Sequence, residues 1–203
     1  MRLKVLAARF ALASLNSFAQ EELKEPKAIY ERIRAIEYAQ KTRNQIAIDN
    51  KEMPCWFGCQ DDDIRFKLEN DLSKQAETDP VAAFYRGLFR LETAQLFSRN
   101  NAPLQATEQA AADARKLFLF AYRAGIAAAA WNLGVIYETG VGVTGSRLAA
   151  IEWYARAGQQ YLKGAEREKA LAALEKIESF DQKHSDSKRL REALFPTNKK
   201  NQD

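Results

Sequence analysis

Apolar residues recur at three- and four-residue steps along most of this 203-residue chain. Such a period is typical of helices that bury one face. The first clear stripe lies between Pro26 and about Ile48, at Ile29, Ile33, Ile36 and Ala39. A period-two run rich in β-branched residues appears nowhere in the sequence. The pattern therefore predicts an all-α protein.

Polar and proline residues predict where three of the later helices begin. Asp79 can cap a helix whose first position is Pro80. An aspartate run at 61–63 suits the positive end of a helix. The apolar positions that follow this run are Ile64, Phe66, Leu68 and Leu72. A last short helix is expected to begin at Ser185 or Asp186 and to stop at Pro196.

The most regular part of the chain runs from Ala129 to Gly158. It has two helical patterns around a glycine-marked turn, with small residues where two helices would touch and aromatic residues where they would bury side chains. The defining positions are Ala129, Leu133, Gly134, Tyr137, Gly140, Gly142, Val143, Ala150, Trp153, Tyr154 and Ala157. This pattern resembles the Sel1-like repeat, a relative of the tetratricopeptide repeat. Ser146 departs from it where an acidic residue is usual, and Tyr161 where a closing glycine is usual.

Weaker copies of the pattern flank this segment. A shift of 36 residues back from its second helix gives Ala114, Leu117, Phe118, Ala121 and Gly125. The matching first helix, at 83–87, is displaced by 47 residues, so about eleven extra residues are expected in the turn at 98–103. Adding 36 to the positions of Ala129 and Gly134 gives Ala165 and Ala170. This third unit keeps small residues but lacks the aromatic residues, as expected of a terminal capping repeat.

The resemblance implies a short right-handed helical-repeat solenoid over residues 80–195, with about two and a half units. Residues 20–79 are expected to form extra N-terminal helices around a loop between Cys55 and Cys59. Residues 196–203 are polar and are expected to be a flexible tail.

Residues 1–19 have the features of a signal peptide. Met1 to Lys4 is basic, Val5 to Leu15 is mostly apolar, and small residues precede a cleavage site after Ala19. This pattern predicts a periplasmic or secreted bacterial protein. Because Arg9 interrupts the apolar run, the alternative is an amphipathic first helix of a cytosolic protein.

The net charge depends largely on that leader. The formal charge of +4 reflects 31 basic and 27 acidic residues. Without Arg2, Lys4 and Arg9 there are 28 basic residues against 27 acidic ones, a charge of +1. Such a balance predicts no nucleic-acid partner. No apolar stretch approaches the ~20 residues of a membrane span, so the chain is not expected to span one.

Cys55 and Cys59 lie close together between two helical segments, and an oxidising compartment would favour a disulfide between them. The alternative is a redox-active pair, although catalytic dithiols normally have two intervening residues and this pair has three. His184 is the only histidine, and in its polar segment it is expected to face solvent. No metal, cofactor or catalytic residue is predicted, and the turn at 140–142 lacks the Lys-Ser/Thr of a phosphate loop.

A binding surface is the function that remains. First helices of such repeats usually line a groove, and this placement nominates Tyr85, Arg86, Arg90, Asn132, Ile136 and Glu138 as contacts. Trp56 and Phe57 in the cysteine loop are either an exposed anchor or buried. The resemblance implies a non-catalytic adaptor that binds a protein or peptide in the bacterial envelope. The alternatives are a binder of cell-wall fragments or related small ligands and a thiol redox enzyme.

Overall fold

The computed structural model describes residues 25–50 and 62–196, and this part of the chain contains helices and no strand. The prediction of an all-α protein is therefore confirmed. The helices are α1 (Pro26–Asp49), α2 (Asp62–Gln75), α3 (Pro80–Arg99), α4 (Leu104–Arg123), α5 (Ala127–Thr139), α6 (Arg147–Lys163), α7 (Arg167–Phe180) and α8 (Ser185–Leu194). Of these helices, none is both long enough and apolar enough to cross a bilayer.

Several sequence predictions fall on residues outside the described ranges. These are the signal peptide at 1–19, the Cys55–Cys59 pair with Trp56 and Phe57, and the tail beyond Pro196. They stay predictions. The chain divides into two compact units, Met1–Tyr85 and Arg86–Asp203, so α3 contributes residues to both.

The apolar stripe of α1 forms the core of the first unit. Ile29, Ile33 and Ile36 are at most 3% exposed, as the spacing predicted. Helix α2 buries Leu68 and Leu72 but leaves Ile64 and Phe66, nearer its start, exposed to solvent. A step of four places Leu68 and Leu72 on one face, whereas Phe66 lies on another. Ile64 shares the face of Leu68 but belongs to the first turn of the helix.

Helices α3 and α8 begin where the sequence predicted. The backbone N–H of Val81 donates to Asp79 Oδ1 at 2.7 Å, with Pro80 as the first helical residue. Helix α8 begins at Ser185, but its cap is His184, whose Nδ1 accepts the Asp186 N–H at 3.2 Å. The predicted solvent-facing His184 is thus wrong in part, because its side chain is only 21% exposed and has a capping role.

In the second unit, two successive helix pairs make the same close contact. A Cβ on Gly134 of α5 would lie 2.8 Å from Cε1 of Tyr154 on α6. A Cβ on Gly87 of α3 would lie 2.7 Å from Cε1 of Phe118 on α4. In each pair a first helix contacts an aromatic ring on a second helix, where only glycine has room.

The additional residues of the α3–α4 pair lengthen the helices and not the turn, which corrects the prediction. Twelve helical residues follow Gly87 in α3, whereas five follow Gly134 in α5. Phe118 lies fourteen residues after the start of α4, and Tyr154 lies seven after the start of α6. The α3–α4 connection at 100–103 is correspondingly short. The added sequence continues the helical pattern, so it is buried as helix instead of forming a loop.

The α5–α6 turn rests on α4. Gly142 has a φ of +63°, and a Cβ on it would lie 2.5 Å from Ala111 Cβ and 2.7 Å from the Thr107 carbonyl oxygen. Val141 packs beside it against Ala94, Ala110 and Ala111. The longer part of α4 thus forms a shelf for the turn of the following pair.

The two junctions between helix pairs use the same backbone hydrogen bonds, displaced by 40 residues. Ile126 N–H donates to the Ala121 carbonyl at 3.1 Å, and Glu166 N–H donates to the Tyr161 carbonyl at 2.8 Å. The residues with positive φ are Gly125 at 97° and Ala165 at 58°. Ala165, not Tyr161, therefore occupies the position of the closing glycine, and it precedes α7 instead of belonging to it. Compared with α4, α6 has one more helical turn after its ring contact.

Candidate functional site

Helices α5 and α7 of the second unit present a partly exposed face of mixed aromatic and polar character. On α5 the half-buried positions recur at three- and four-residue steps, which places them on one side of the helix. Helix α7 contributes a lysine and an aromatic ring at its C-terminal end. We call this set the α5–α7 face, and its members are Trp131, Asn132, Val135, Glu138, Lys176 and Phe180.

Glu138 connects three helices across this face. Its Oε2 accepts a hydrogen bond from the Tyr154 hydroxyl at 2.5 Å. Its Oε1 accepts one from Lys176 Nζ at 2.7 Å. Both carboxylate oxygens are therefore occupied, and the side chains of Glu138 and Lys176 are only 26% and 33% exposed. The carboxylate holds α7 in register against α5 through charge-assisted hydrogen bonds.

Three aromatic rings pack beside this ion pair. Tyr154 is fully buried and lies between Trp131, at a centroid distance of 4.9 Å and edge-on, and Phe180, at 6.3 Å and stacked. Lys176 Nζ lies 5.9 Å from the Tyr154 centroid and 5.7 Å from that of Phe180. These distances fall within the range of cation–π attraction, so Lys176 is held by the rings as well as by Glu138.

The hydroxyl of Tyr154 is held in its neutral form. Burial raises the pKa of Tyr154 well above its usual value, and the hydrogen bond to the negatively charged Glu138 raises it further. A phenol in this setting is a hydrogen-bond donor and not a nucleophile at neutral pH. The arrangement orders the face and leaves its outer surface available for contact.

A groove of about 480 Å³ adjoins the face at Phe180. We call it the Phe180 groove, and its lining residues are Arg147, Leu148, Ile151, Phe180, Asp181 and His184. Leu148 is 58% exposed at the rim. The guanidinium carbon of Arg147 lies 5.8 Å from the Phe180 centroid.

The predicted contact residues of α5 do not all reach this surface. Asn132 and Glu138 lie on the α5–α7 face, and Asn132 Nδ2 donates to the Ala128 carbonyl at 2.8 Å. Ile136 is fully buried, so its proposed role as a partner contact is wrong for this structure. Ile136 lies on the buried side of α5, where an apolar side chain is favoured.

The predicted contacts of α3 have partners within their own units. In the first unit, Tyr85 packs against Tyr30 at a centroid distance of 5.0 Å. In the second, Nε and a terminal nitrogen of Arg90 donate to Asp113 Oδ2, the former at 3.1 Å. Burial alone would raise the pKa of Asp113, but hydrogen bonds from Arg90 and Gln109 and the charges of Arg90 and Arg86 lower it below its usual value.

The residues that define the repeat pattern lie mainly inside the second unit. Gly140 ends α5 with a left-handed φ of 68°. Trp153 and Tyr137 are partly buried against the core, and the Trp153 indole lies edge-on to Tyr122 at 5.4 Å. Ser146 replaces the usual acid by capping α6, since its hydroxyl accepts the Ala149 N–H at 3.2 Å. The fully or almost fully buried members are Ala129, Leu133, Gly134, Ala150, Tyr154 and Ala157.

Sequence reasoning missed Lys176, Phe180 and Arg147. The first two belong to α7, where the repeat pattern is weakest, and the third stands one residue after the capping serine. The available signal was the separation of 38 residues between Glu138 and Lys176, close to the period of the pattern. Opposite charges at that spacing on consecutive first helices predict an ion pair.

Comparisons with protein-family models, with curated proteins and with solved structures found no match for this chain. In the described ranges, the His, Cys, Asp and Glu side chains form no group of three or more that could hold a metal ion.

Proposed function

We propose that this chain is an exported, Sel1-like helical-repeat scaffold that binds a protein or peptide partner in the bacterial envelope and has no catalysis of its own. The observation that carries the proposal is the shared contact of two helix pairs, Gly87 on Phe118 and Gly134 on Tyr154. Its second-helix members are separated by the 36 residues of the sequence pattern. Successive helix pairs that are built on the same internal contact are typical of repeat proteins, which commonly serve as binding scaffolds.

Contacts between successive pairs support the same proposal. The ion pair of Glu138 with Lys176 joins the first helices α5 and α7. The second helices α4 and α6 are joined by Gln160, whose Nε2 donates to the Tyr122 carbonyl at 3.3 Å. Both contacts span 38 residues. Helix α5 thus contacts α7, and α4 contacts α6, which is the pattern expected when helix pairs stack in two layers.

The α5–α7 face is the binding surface within this proposal. Tryptophan, tyrosine and phenylalanine are enriched at protein interfaces, and a half-exposed ring gives a partner apolar area at little cost in side-chain entropy. The ion pair of Glu138 with Lys176 fixes that surface before a partner arrives. A preorganised surface loses less entropy on binding.

Site-specific photocrosslinking in the producing bacterium tests the surface. A photoreactive phenylalanine at Asn132, on the face, is compared with one at Gln159, an exposed position of α6 that is not a member of the face. We expect a discrete adduct from position 132 that position 159 does not give, with its partner identified by mass spectrometry. Equal adducts from both positions, or none from position 132, would contradict the use of this face.

Intact mass tests export independently. A chain that begins at Gln20 in the envelope fraction and is alkylated at Cys55 and Cys59 only after reduction supports both the signal peptide and the disulfide. A chain retaining residues 1–19 with two reactive thiols contradicts them.

Addition of peptidoglycan fragments to the purified chain distinguishes a protein scaffold from a cell-wall binder. The fragments should raise the melting temperature only of a cell-wall binder.

A further inference from the structure

The Phe180 groove has an apolar wall and an exposed arginine. Leu148, Ile151 and Phe180 provide the wall. Arg147 is exposed and stacks on the Phe180 ring, and no carboxylate of the described residues lies within ion-pair distance of it. Its guanidinium group carries five N–H donors, and no carboxylate in the described ranges pairs with it.

Glu138 on the adjoining α5–α7 face and Asp181 in the groove already accept hydrogen bonds. Both oxygens of Glu138 accept hydrogen bonds from Tyr154 and Lys176. Asp181 at the groove edge accepts the Lys183 N–H through Oδ1 at 2.9 Å, which leaves its second oxygen as an acceptor. The groove therefore contains the positively charged guanidinium group of Arg147 and one carboxylate oxygen of Asp181 that can accept a hydrogen bond.

His184 adds a second donor. Its Nδ1 accepts the Asp186 N–H at 3.2 Å, so that nitrogen carries no proton. A neutral imidazole then has its proton on Nε2, which is a hydrogen-bond donor. His184 lines the same groove as Arg147, so both side chains border the space that a ligand would occupy.

We propose that the Phe180 groove binds an internal peptide segment of the partner in which an aspartate or glutamate neighbours a bulky apolar residue. The apolar side chain packs on Leu148, Ile151 and Phe180. The carboxylate accepts hydrogen bonds from Arg147, for which its geometry suits a two-pronged contact, and from His184 Nε2. A backbone N–H of the same segment donates to the remaining oxygen of Asp181. This inference rests on the proposed function and assigns the chemistry of its partner.

Selection from a displayed library of random peptides tests the proposal with the purified full chain as bait. The variant is Arg147→Ala, and the matched control is Arg156→Ala. Arg156 lies on the same helix and also stacks on an aromatic ring, Trp153, at 4.4 Å, but it is outside the groove. Circular dichroism melting establishes that both variants are folded.

We expect the wild-type chain to enrich peptides with an acid beside a bulky apolar residue. Synthetic copies with both ends blocked should bind R147A about tenfold or more weakly, because a charge-assisted hydrogen bond is lost, and should bind R156A as they bind the wild type. Replacing their acid with its amide should have a similar effect on the wild type and little effect on R147A. Arg147→Lys, which keeps the charge but not the fork, should give an intermediate affinity.

Three results would overturn the proposal. Enriched peptides that bind R147A and the wild type equally would show that peptides bind elsewhere, and the proposed scaffold function would survive. Affinity that requires a free C-terminal carboxylate would exclude an internal segment. Failure of the wild type to enrich any peptide would reject the groove as a peptide site, whereas crosslinking from Asn132 would still test the scaffold function separately.

Discussion

The ring of Tyr154 fills the space that a side chain on Gly134 would occupy. The α5 backbone passes so close to the ring that even a methyl group at position 134 would approach Cε1 to 2.8 Å. A helix-interior glycine is normally unfavourable by about 1 kcal/mol relative to alanine. At this position the close approach of the two helices outweighs that propensity, since overpacking typically costs about 1–3 kcal/mol.

Gly134→Ala should therefore destabilise the chain by about 1–2 kcal/mol, and Gly87→Ala should do the same through Phe118. Urea unfolding monitored by circular dichroism gives both values. Gly164→Ala is the matched control, because its nearest neighbours lie 3.5 Å or more from an added Cβ and its φ is −83°. If G134A proved as stable as G164A, the contact would not be what requires glycine.

Stability should fall at alkaline pH because of Tyr154. Its pKa in the folded chain is raised above the usual value of 10.0, so the unfolded chain loses this proton first as the pH rises past 10. The stabilisation is complete below that pH and is lost above it, at no more than about 1.4 kcal/mol per pH unit for one group.

Urea midpoints measured between pH 8 and pH 11 test this titration. In Tyr154→Phe the alkaline loss should shrink. It should not vanish, because burial also raises the pKa of Tyr161. An unchanged alkaline slope in Y154F would contradict the assignment.

Ala165→Gly should stabilise the chain. Ala165 has a φ of 58°, where a Cβ costs roughly 1–2 kcal/mol, and glycine removes that cost while adding part of it back as backbone entropy. A net gain of about 0.5–1 kcal/mol is expected from thermal unfolding. The reciprocal change, Gly125→Ala at the equivalent turn, should destabilise although nothing lies within 4 Å of the added Cβ. Effects of the same sign would show that these turns are not equivalent.

Asp113 should stabilise the second unit only while it is ionised. Its pKa is lowered by Arg90 and Gln109, so this contribution is present above about pH 4 and is lost as the pH falls through the lower folded value. Asp113→Asn should cost stability at pH 7 and should reduce the difference between pH 7 and pH 3. Glu108→Gln, at an exposed position in the same helix, is the control. A D113N variant with the wild-type acid sensitivity would contradict this role.

The sequence allowed the helices and much of the core to be predicted because these depend on local period. The stripe of α1, the start of α3 at Pro80 and the small residues of α5 and α6 are examples. The site was harder to predict from the sequence, because it depends on where helices that are distant in sequence contact one another. Ile136 and Glu138 are two residues apart, yet one is buried in the core and the other carries the ion pair with Lys176.

Helix length was the other property that the pattern left open. A fixed offset of 36 assigned the closing position to Tyr161, whereas α6 continues for one more turn and the positive φ falls on Ala165. A shift by one helical turn keeps every side chain on nearly the same face, so hydrophobic spacing does not distinguish the two registers. The hydrogen bonds of the turn do.

The seating of Gly142 against Thr107 and Ala111 restricts where this chain can accept new sequence. A connection between paired helices is ordinarily the easiest place for insertions to accumulate. Here the α5–α6 connection packs closely against α4, and added residues would disrupt that contact. The residues of the short connection at 100–103 are largely exposed. Among descendants of this gene, insertions and deletions should therefore be found in the α3–α4 connection and be rare in the glycine-containing α5–α6 connection.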